Sequence, residues 1–204
     1  MALNKDKLES DLSNVFSSMT SGDNSVFSNG ISNAVVTFVS GGVVTTTDSG
    51  TVSAGVFAGS GSGSITVTAT ACAKIIKDAC DTMVNMTSGG DVFLAQEIGK
   101  GIKKMADDAV VITSVKGTAT AGTTTTTLSG TAKGTITCTE APLVSALQTL
   151  FAKMLSNKEV EGYDGNADFA KELANAVDTF YTGGQVKTDG QIALSGAKGI
   201  GTVA

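Results

Sequence analysis

A few short clusters in the sequence hold residue types that could support chemistry. The segment 164–168, DGNAD, matches the start of a calcium-binding EF-hand loop, in which alternate oxygen-bearing side chains coordinate the ion. The glycine that this loop needs at its sixth position is replaced by Phe169, and the acidic residue at its twelfth by Asn175. We therefore predict a polar connection between two helices, with Asn166 or Asp168 capping the helix that follows.

Two further clusters match catalytic spacings. Ser195 and Lys198 have the S-x-x-K spacing of a serine nucleophile and its lysine base, but no second motif of that enzyme class accompanies them. The acidic pairs Asp107–Asp108 and Glu159/Glu161 could act as acid and base in glycoside hydrolysis. Aromatic residues make up only 5% of the chain and tryptophan is absent, so a sugar-stacking cleft is not expected. We interpret these acidic residues as solvated charges.

The run GSGSGS at 59–64 could be a phosphate-binding loop, a linker or part of a β-hairpin. No Lys-Ser or Lys-Thr follows its last glycine, and the G-x-G-x-x-G spacing is missing, so it does not fit a phosphate loop. It is predicted to be a hairpin bend or a glycine-rich strand.

The composition disfavours catalysis and metal binding. The chain has no histidine, which is the commonest general base and metal ligand, and no arginine, which forms most bidentate phosphate and carboxylate contacts. Its cysteines are Cys72, Cys80 and Cys138, an odd number without a C-x-x-C motif, so we predict buried, inert thiols. No catalytic residue, metal ligand or cofactor is therefore predicted.

Charge and hydropathy exclude several classes of partner. The net charge of −5 and the sequence pI of about 4.7 argue against a surface for nucleic acid or anionic membranes, since both need a basic patch. The N-terminus has no apolar core of the kind that marks a signal peptide, and the most apolar run, 34–44, is too short to span a bilayer. We expect no nucleic acid, membrane or small-molecule substrate as a partner.

The elements that must position these residues recur three times along the chain. Each recurrence begins with two segments whose apolar residues are spaced i, i+4, i+7, i+8 and i+11, the pattern of one face of a helix. The third apolar position of each second segment is small (Ala34, Gly101 or Ala176), which predicts close approach of the paired helices. The first helices are predicted over 8–19, 72–83 and 143–154, and the second over 27–38, 94–105 and 169–180.

Glycine-, serine- and threonine-rich arms follow each helix pair. The arms around 50–67, 118–138 and 188–204 are predicted to be β-hairpins, and the threonine run at 123–127 is consistent with β propensity. Glycine pairs at 41–42 and 183–184 predict that the preceding helices end in the left-handed conformation. Since a single hairpin is marginally stable, the arms should pair with one another or with neighbouring molecules.

The predicted fold class is α+β, with three tandem repeats at 1–68, 69–138 and 139–204. Each repeat contains a helix hairpin and a β-hairpin, and together they form an intramolecular pseudo-trimer suited to a position of local threefold symmetry. The core is predicted to contain Phe16, Phe27, Phe38, Leu147, Phe151, Phe169 and Phe180.

The N-terminal sequence MALNKDKL, the apolar pattern up to Met19 and the tail from Thr45 to Val67 resemble small virion proteins of tailed bacteriophages. The resemblance extends over the whole chain when each repeat counts as one such protein, and it implies no catalytic residues. It implies a non-enzymatic structural protein of the virion, assembled in the host bacterial cytoplasm.

The favoured role is that of a head decoration, or cement, protein at local threefold sites of the capsid, with the major capsid protein as partner. The alternatives are a neck, tail or baseplate component, which would bind other virion proteins, and a glycan-binding adhesin module.

Overall fold

The computed structural model describes residues 3–19, 24–192 and 197–203. Two helices are followed by two strands, and this order occurs three times, so the α+β class is confirmed. The helices are α1 (Lys5–Ser18), α2 (Asn24–Ser40), α3 (Thr70–Met83), α4 (Gly90–Asp107), α5 (Glu140–Asn157) and α6 (Gly165–Thr182). The strands are β1 (Val44–Val52), β2 (Gly55–Thr66), β3 (Val110–Ala121), β4 (Thr124–Thr137), β5 (Gln185–Ile192) and β6 (Ala197–Val203).

The six helices form a closed ring. Each helix packs against its neighbours in chain order, and α6 returns to pack against α1. The buried side chains are those that the spacing predicts; α1, for example, buries Leu8, Leu12 and Phe16 on one face. We call this part of the molecule the helix ring.

Small residues allow the helices of the ring to approach closely, as predicted. A β-carbon on Gly101 of α4 would lie 3.1 Å from Sγ of Cys72 in α3. Ala34 and Ala176, at the equivalent predicted positions, are buried. A second glycine of α4, Gly99, faces the side chain of Val144 in α5, so α4 approaches both of its neighbours through glycine.

The six strands form a closed antiparallel barrel. Consecutive strands pair along the chain, and β6 pairs with β1 to close it. Each described strand therefore has a partner on both sides, which leaves no free strand edge in the paired segments. Of the two pairings that the sequence left open, the structure shows the arms pairing with one another, and pairing with neighbouring molecules stays a prediction. The hairpins also begin earlier than predicted, at Val44, Val110 and Gln185.

The run 59–64 lies within strand β2 and is not a bend. Its three glycines face the barrel interior and its three serines face outward, in the alternation of a strand. A β-carbon on Gly63 would overlap the carbonyl oxygen of Ile112 and lie 2.6 Å from the α-carbon of Thr113. Glycine is thus required here because β2 and β3 approach more closely than a side chain allows.

The glycine pairs end their helices, but not in the predicted left-handed conformation. Gly183 has a φ of −78°, and its amide donates to the carbonyl oxygen of Thr179 at 3.0 Å. The amide of Gly184 donates to the carbonyl oxygen of Tyr181, and β5 begins at the next residue. The chain enters an extended strand directly, so no left-handed turn intervenes.

One hydrophobic core fills the helix ring and continues to its junction with the barrel. Phe16, Phe38, Leu147, Phe169 and Phe180 are buried in it, as predicted. Phe27 and Phe151, also predicted, are half-buried and pack against its edge. The helix ring and the adjacent end of the barrel therefore share a single core.

Candidate functional site

The DGNAD segment forms a helix cap. The carboxylate of Asp164 accepts hydrogen bonds from the backbone amides of Asn166 and Ala167, both at 3.0 Å, so the capping residue is Asp164 and the prediction of Asn166 or Asp168 is wrong. Asp168 instead accepts from Nζ of Lys153 at 2.8 Å, and this hydrogen bond lowers the pKa of Asp168. The segment thus holds α6 in place and has no calcium-loop geometry.

The other predicted catalytic spacings are not assembled into a site. Asp107 and Asp108 form ion pairs with lysines one helical turn earlier, at the barrel end of α4. Glu159 and Glu161 are exposed in the connection between α5 and α6, at the opposite end of the helix ring. Ser195 lies outside the described residues, and Lys198 lies in strand β6.

The three cysteines are free thiols. Cys72 and Cys138 are buried, and burial raises the pKa of each thiol to about 11, as expected for inert cysteines. Cys80 is half-buried, and its pKa is raised mainly by burial and further by the neighbouring carboxylate of Asp81. The prediction of buried thiols is confirmed for Cys72 and Cys138 and is only partly correct for Cys80.

The barrel interior is divided into three layers, of which the middle one is polar. The layer next to the helix ring is apolar and belongs to its core, with Val44, Ile65, Val111, Ile136, Val186 and Val203. A second apolar cluster fills the far end of the barrel, with Val52, Phe57, Val115, Ala119 and Ala132. Between them lie four buried polar side chains, Thr46, Asp48, Thr113 and Thr188, which we call the polar layer.

The polar layer is incompletely hydrogen-bonded. The hydroxyl of Thr46 donates to Oδ2 of Asp48 at 2.8 Å. The hydroxyls of Thr113 and Thr188 have no partner among the described residues. Asp48 is only 3% exposed, and no ion pair of its carboxylate occurs among the side chains that the structure describes, which exclude those of residues 190–200. Sequence reasoning missed this layer, because threonine and aspartate at alternate positions of a polar run are normally exposed.

An exposed apolar surface lies at the end of the helix ring remote from the barrel. Large apolar side chains are exposed there, on the first and last turns of the helices and on their connections. We call these residues the tip surface: Val26, Val84, Met86, Val92, Leu155 and Val160. The most exposed is Val84, at 78%.

An aromatic cluster lies beneath the tip surface. The ring centroid of Phe169 lies 4.9 Å from that of Phe16, 5.5 Å from that of Phe151 and 6.1 Å from that of Phe27. A groove of about 400 Å³ opens over these rings, with Met19 on its wall. The apolar character of the tip surface therefore continues into the core.

The outer wall of the barrel differs from the tip surface. Serine and threonine occupy most of its outward positions, and the exposed charges include Lys116, Lys133, Lys187 and Asp189. The strands carry more lysines than acidic residues, whereas the helices and their connections carry the excess of acid. The molecule thus has a hydroxyl-rich, weakly basic barrel and an acidic helix ring.

No protein-family model, curated protein or solved structure matches the chain. Within the described ranges, no helix has the length and apolar character needed to cross a membrane. Over the same ranges, no group of three or more cysteine, aspartate or glutamate side chains is arranged to hold a metal ion.

Proposed function

We propose that the protein is a non-enzymatic structural component of a tailed-bacteriophage virion. In this proposal it is a head decoration protein that binds the capsid at local threefold positions through the tip surface. The observation that carries the proposal is the exposure of large apolar side chains at one end of the molecule, contributed by helices or connections from all three helix pairs. Exposed apolar clusters of this kind mark protein interaction surfaces.

Approximate threefold symmetry is part of the proposal. The three repeats, 1–68, 69–138 and 139–204, would be related by rotation about the barrel axis. The recurrence of two helices and two strands supports this relation, as does the occurrence of Thr46, Thr113 and Thr188 at matching strand positions. A pseudo-threefold particle can offer similar contacts to three copies of one partner.

The orientation of the molecule on the virion follows from its two surfaces. The tip surface loses unfavourable contact with water when it is covered, so it should face the partner. The barrel wall is rich in hydroxyl groups that water satisfies, so it should project outward. The partner would be the major capsid protein, or, if the protein belongs to the neck, tail or baseplate, a structural protein of those assemblies.

Electron microscopy of virions made with and without the protein would test the proposal. We expect difference density at repeated positions of local threefold symmetry on the head, with the helices nearest to the capsid. Density confined to the neck, tail or baseplate would support the alternative location. Absence of the protein from purified virions would contradict both.

A matched pair of variants would test the role of the tip surface. Val84→Lys places a charge at the proposed interface and should weaken binding to particles that lack the protein by about tenfold or more. Val56→Lys is the control, since Val56 is also highly exposed but lies on the barrel wall. Equal binding by Val84→Lys and the native protein, or an equal loss in Val56→Lys, would exclude the tip surface as the interface.

The adhesin alternative receives no support from the aromatic residues or from the DGNAD segment. A glycan-binding module of this kind would expose aromatic rings or hold calcium. Every phenylalanine and tyrosine of the chain is buried or half-buried. The DGNAD segment is a helix cap.

A further inference from the structure

We propose that the barrel encloses a binding site for one monovalent alkali-metal cation in its polar layer. Oxygen atoms of Asp48, Thr46 and Thr113 would be the ligands. The proposal does not depend on the protein's role in a virion.

The oxygens of the polar layer converge on one point. At the position that a β-carbon on Gly61 would occupy, Oδ2 of Asp48 lies 3.0 Å away, Oγ1 of Thr113 lies 3.2 Å away and Oγ1 of Thr46 is nearer still. These oxygens come from β1 and β3, on either side of β2. Since Gly61 has no side chain, nothing of β2 separates them.

The polar groups need a partner that the described residues do not supply. Thr113 and Thr188 are 0% and 2% exposed, and neither hydroxyl has a hydrogen-bond partner there. Asp48 is equally buried, and the hydroxyl of Thr46 is its one observed hydrogen-bond donor. A buried carboxylate without a countercharge is costly, and so is an unpaired buried hydroxyl.

A bound cation would satisfy the oxygens of Asp48, Thr46 and Thr113 together. It would neutralise the carboxylate of Asp48 and accept lone pairs from the threonine hydroxyls. Because the hydroxyl of Thr46 already donates its proton to Asp48, its lone pairs are free to face a cation. Of the strand lysines whose side chains the structure describes, Lys116, Lys133 and Lys187 are exposed on the barrel wall and do not supply this charge.

The ligand chemistry favours a monovalent ion. Carboxylate and hydroxyl oxygens suit hard cations. The single carboxylate balances one positive charge, so a divalent ion would leave an uncompensated charge in the interior.

Because the barrel encloses the site, binding of the cation is coupled to folding of the protein. The ion must enter while the barrel is open, and binding only to the folded state raises the melting temperature. Protein unfolded and refolded in sodium, potassium or choline chloride at equal ionic strength should therefore melt at different temperatures. With an alkali ion near 100 times its Kd, we expect the melting temperature to be about 5–11 °C higher than in choline.

Two pairs of variants would locate the effect. Asp48→Asn should abolish the difference between alkali and choline salts, whereas Asp189→Asn, on the exposed face of β5, should retain it. Thr113→Val should reduce the difference, and Thr118→Val, on the outer face of the same strand, should not. Thr113→Val keeps the test valid if Asp48→Asn fails to fold.

The outcomes decide the proposal. Equal melting temperatures in all three salts for the native protein would overturn it and indicate that water alone occupies the layer. A salt difference that persists in both Asp48→Asn and Thr113→Val would also overturn it. Crystals grown in rubidium chloride should show an anomalous peak beside Asp48 inside the barrel, and anomalous peaks confined to the outer surface would contradict the site.

Discussion

The helix ring and the barrel fill their interiors by opposite means. The ring is packed with large side chains such as Leu12, Ile98 and Phe169. The middle of the barrel is filled by close strand approach at Gly63 and Gly134 and by short threonine side chains. Barrel diameter grows with strand number, and about eight strands are needed before the interior accommodates a full set of side chains. A six-stranded barrel is narrower, which explains its glycines.

This difference predicts opposite sensitivities to substitution. In the ring, a smaller residue leaves a cavity that the surrounding helices can only partly close. In the barrel, a larger residue meets backbone atoms that cannot move without breaking strand pairs. The helix ring is therefore sensitive to smaller residues, whereas the barrel interior is sensitive to larger ones.

The largest effect is expected from enlarging the barrel interior at Gly63. Gly63→Val should cost more than about 4 kcal/mol of unfolding free energy, since the new side chain would overlap the backbone at Ile112 and Thr113. Denaturant titration would measure it. Gly41→Ala is the control: its β-carbon would lie 3.4 Å from the carbonyl oxygen of Thr37, and the change should be within about 0.5 kcal/mol. A stable Gly63→Val would contradict the narrow barrel.

Truncation inside the helix ring is expected to have the next largest effect. Leu12→Ala should cost about 3 kcal/mol, because Leu12 is completely buried and the cavity persists. Leu155→Ala removes the same group from an exposed position of the tip surface and should change stability by less than about 0.5 kcal/mol. Equal losses in the two variants, measured by denaturant titration, would refute the ring core.

The buried thiols predict a loss of stability at alkaline pH. Burial raises the pKa of Cys72 from 9.0 to about 11, so the unfolded chain releases this proton first as the pH rises. The contribution of Cys72 is intact below pH 9 and is lost as the pH approaches 11, amounting to about 2–3 kcal/mol. The stability of native protein and Cys72→Ala should be compared from pH 8 to 11. The variant should show a shallower decline, and parallel curves would contradict the prediction.

The smallest effect is expected at the junction of the two regions. The hydroxyl of Tyr181 is buried without a partner among the described residues. Tyr181→Phe removes this group without changing the packing of the ring and should raise the unfolding free energy by about 1 kcal/mol. Thermal unfolding would detect the gain. A loss of stability would show that the hydroxyl has a partner, such as an ordered water.

The helices could be predicted from the sequence more accurately than the strands. The i, i+4, i+7 spacing identified all six helices, because the faces of a helix are set by residues close in the chain. The strands were predicted to begin several residues late. The runs after Val44 and Val110 are rich in threonine, so hydropathy does not show which of their residues are buried. Their alternation of buried and exposed positions exists only because the closed barrel gives each strand an interior face.

The two candidate sites were not predicted. A single aspartate in a polar, threonine-rich run, such as Asp48, is normally exposed, so its burial is not expected from the sequence. Val84 and Val160 lie in connections between helices, and such connections usually form exposed surface loops. Their exposed apolar side chains could have been noted from hydropathy, but their position at one end of the ring could not. The repeat boundaries at 68 and 138 stay a prediction.

By itself, the sequence determined the α+β class, the six helices with their buried faces and the glycine-rich character of the arms. These properties depend on neighbours within about one helical turn or along one strand. Only the tertiary structure decided that β6 pairs with β1, that Asp48 is enclosed and that the tip surface lies at one end. Those features join residues more than a hundred positions apart, such as Val44 and Val203, and local spacing carries no information about such pairs.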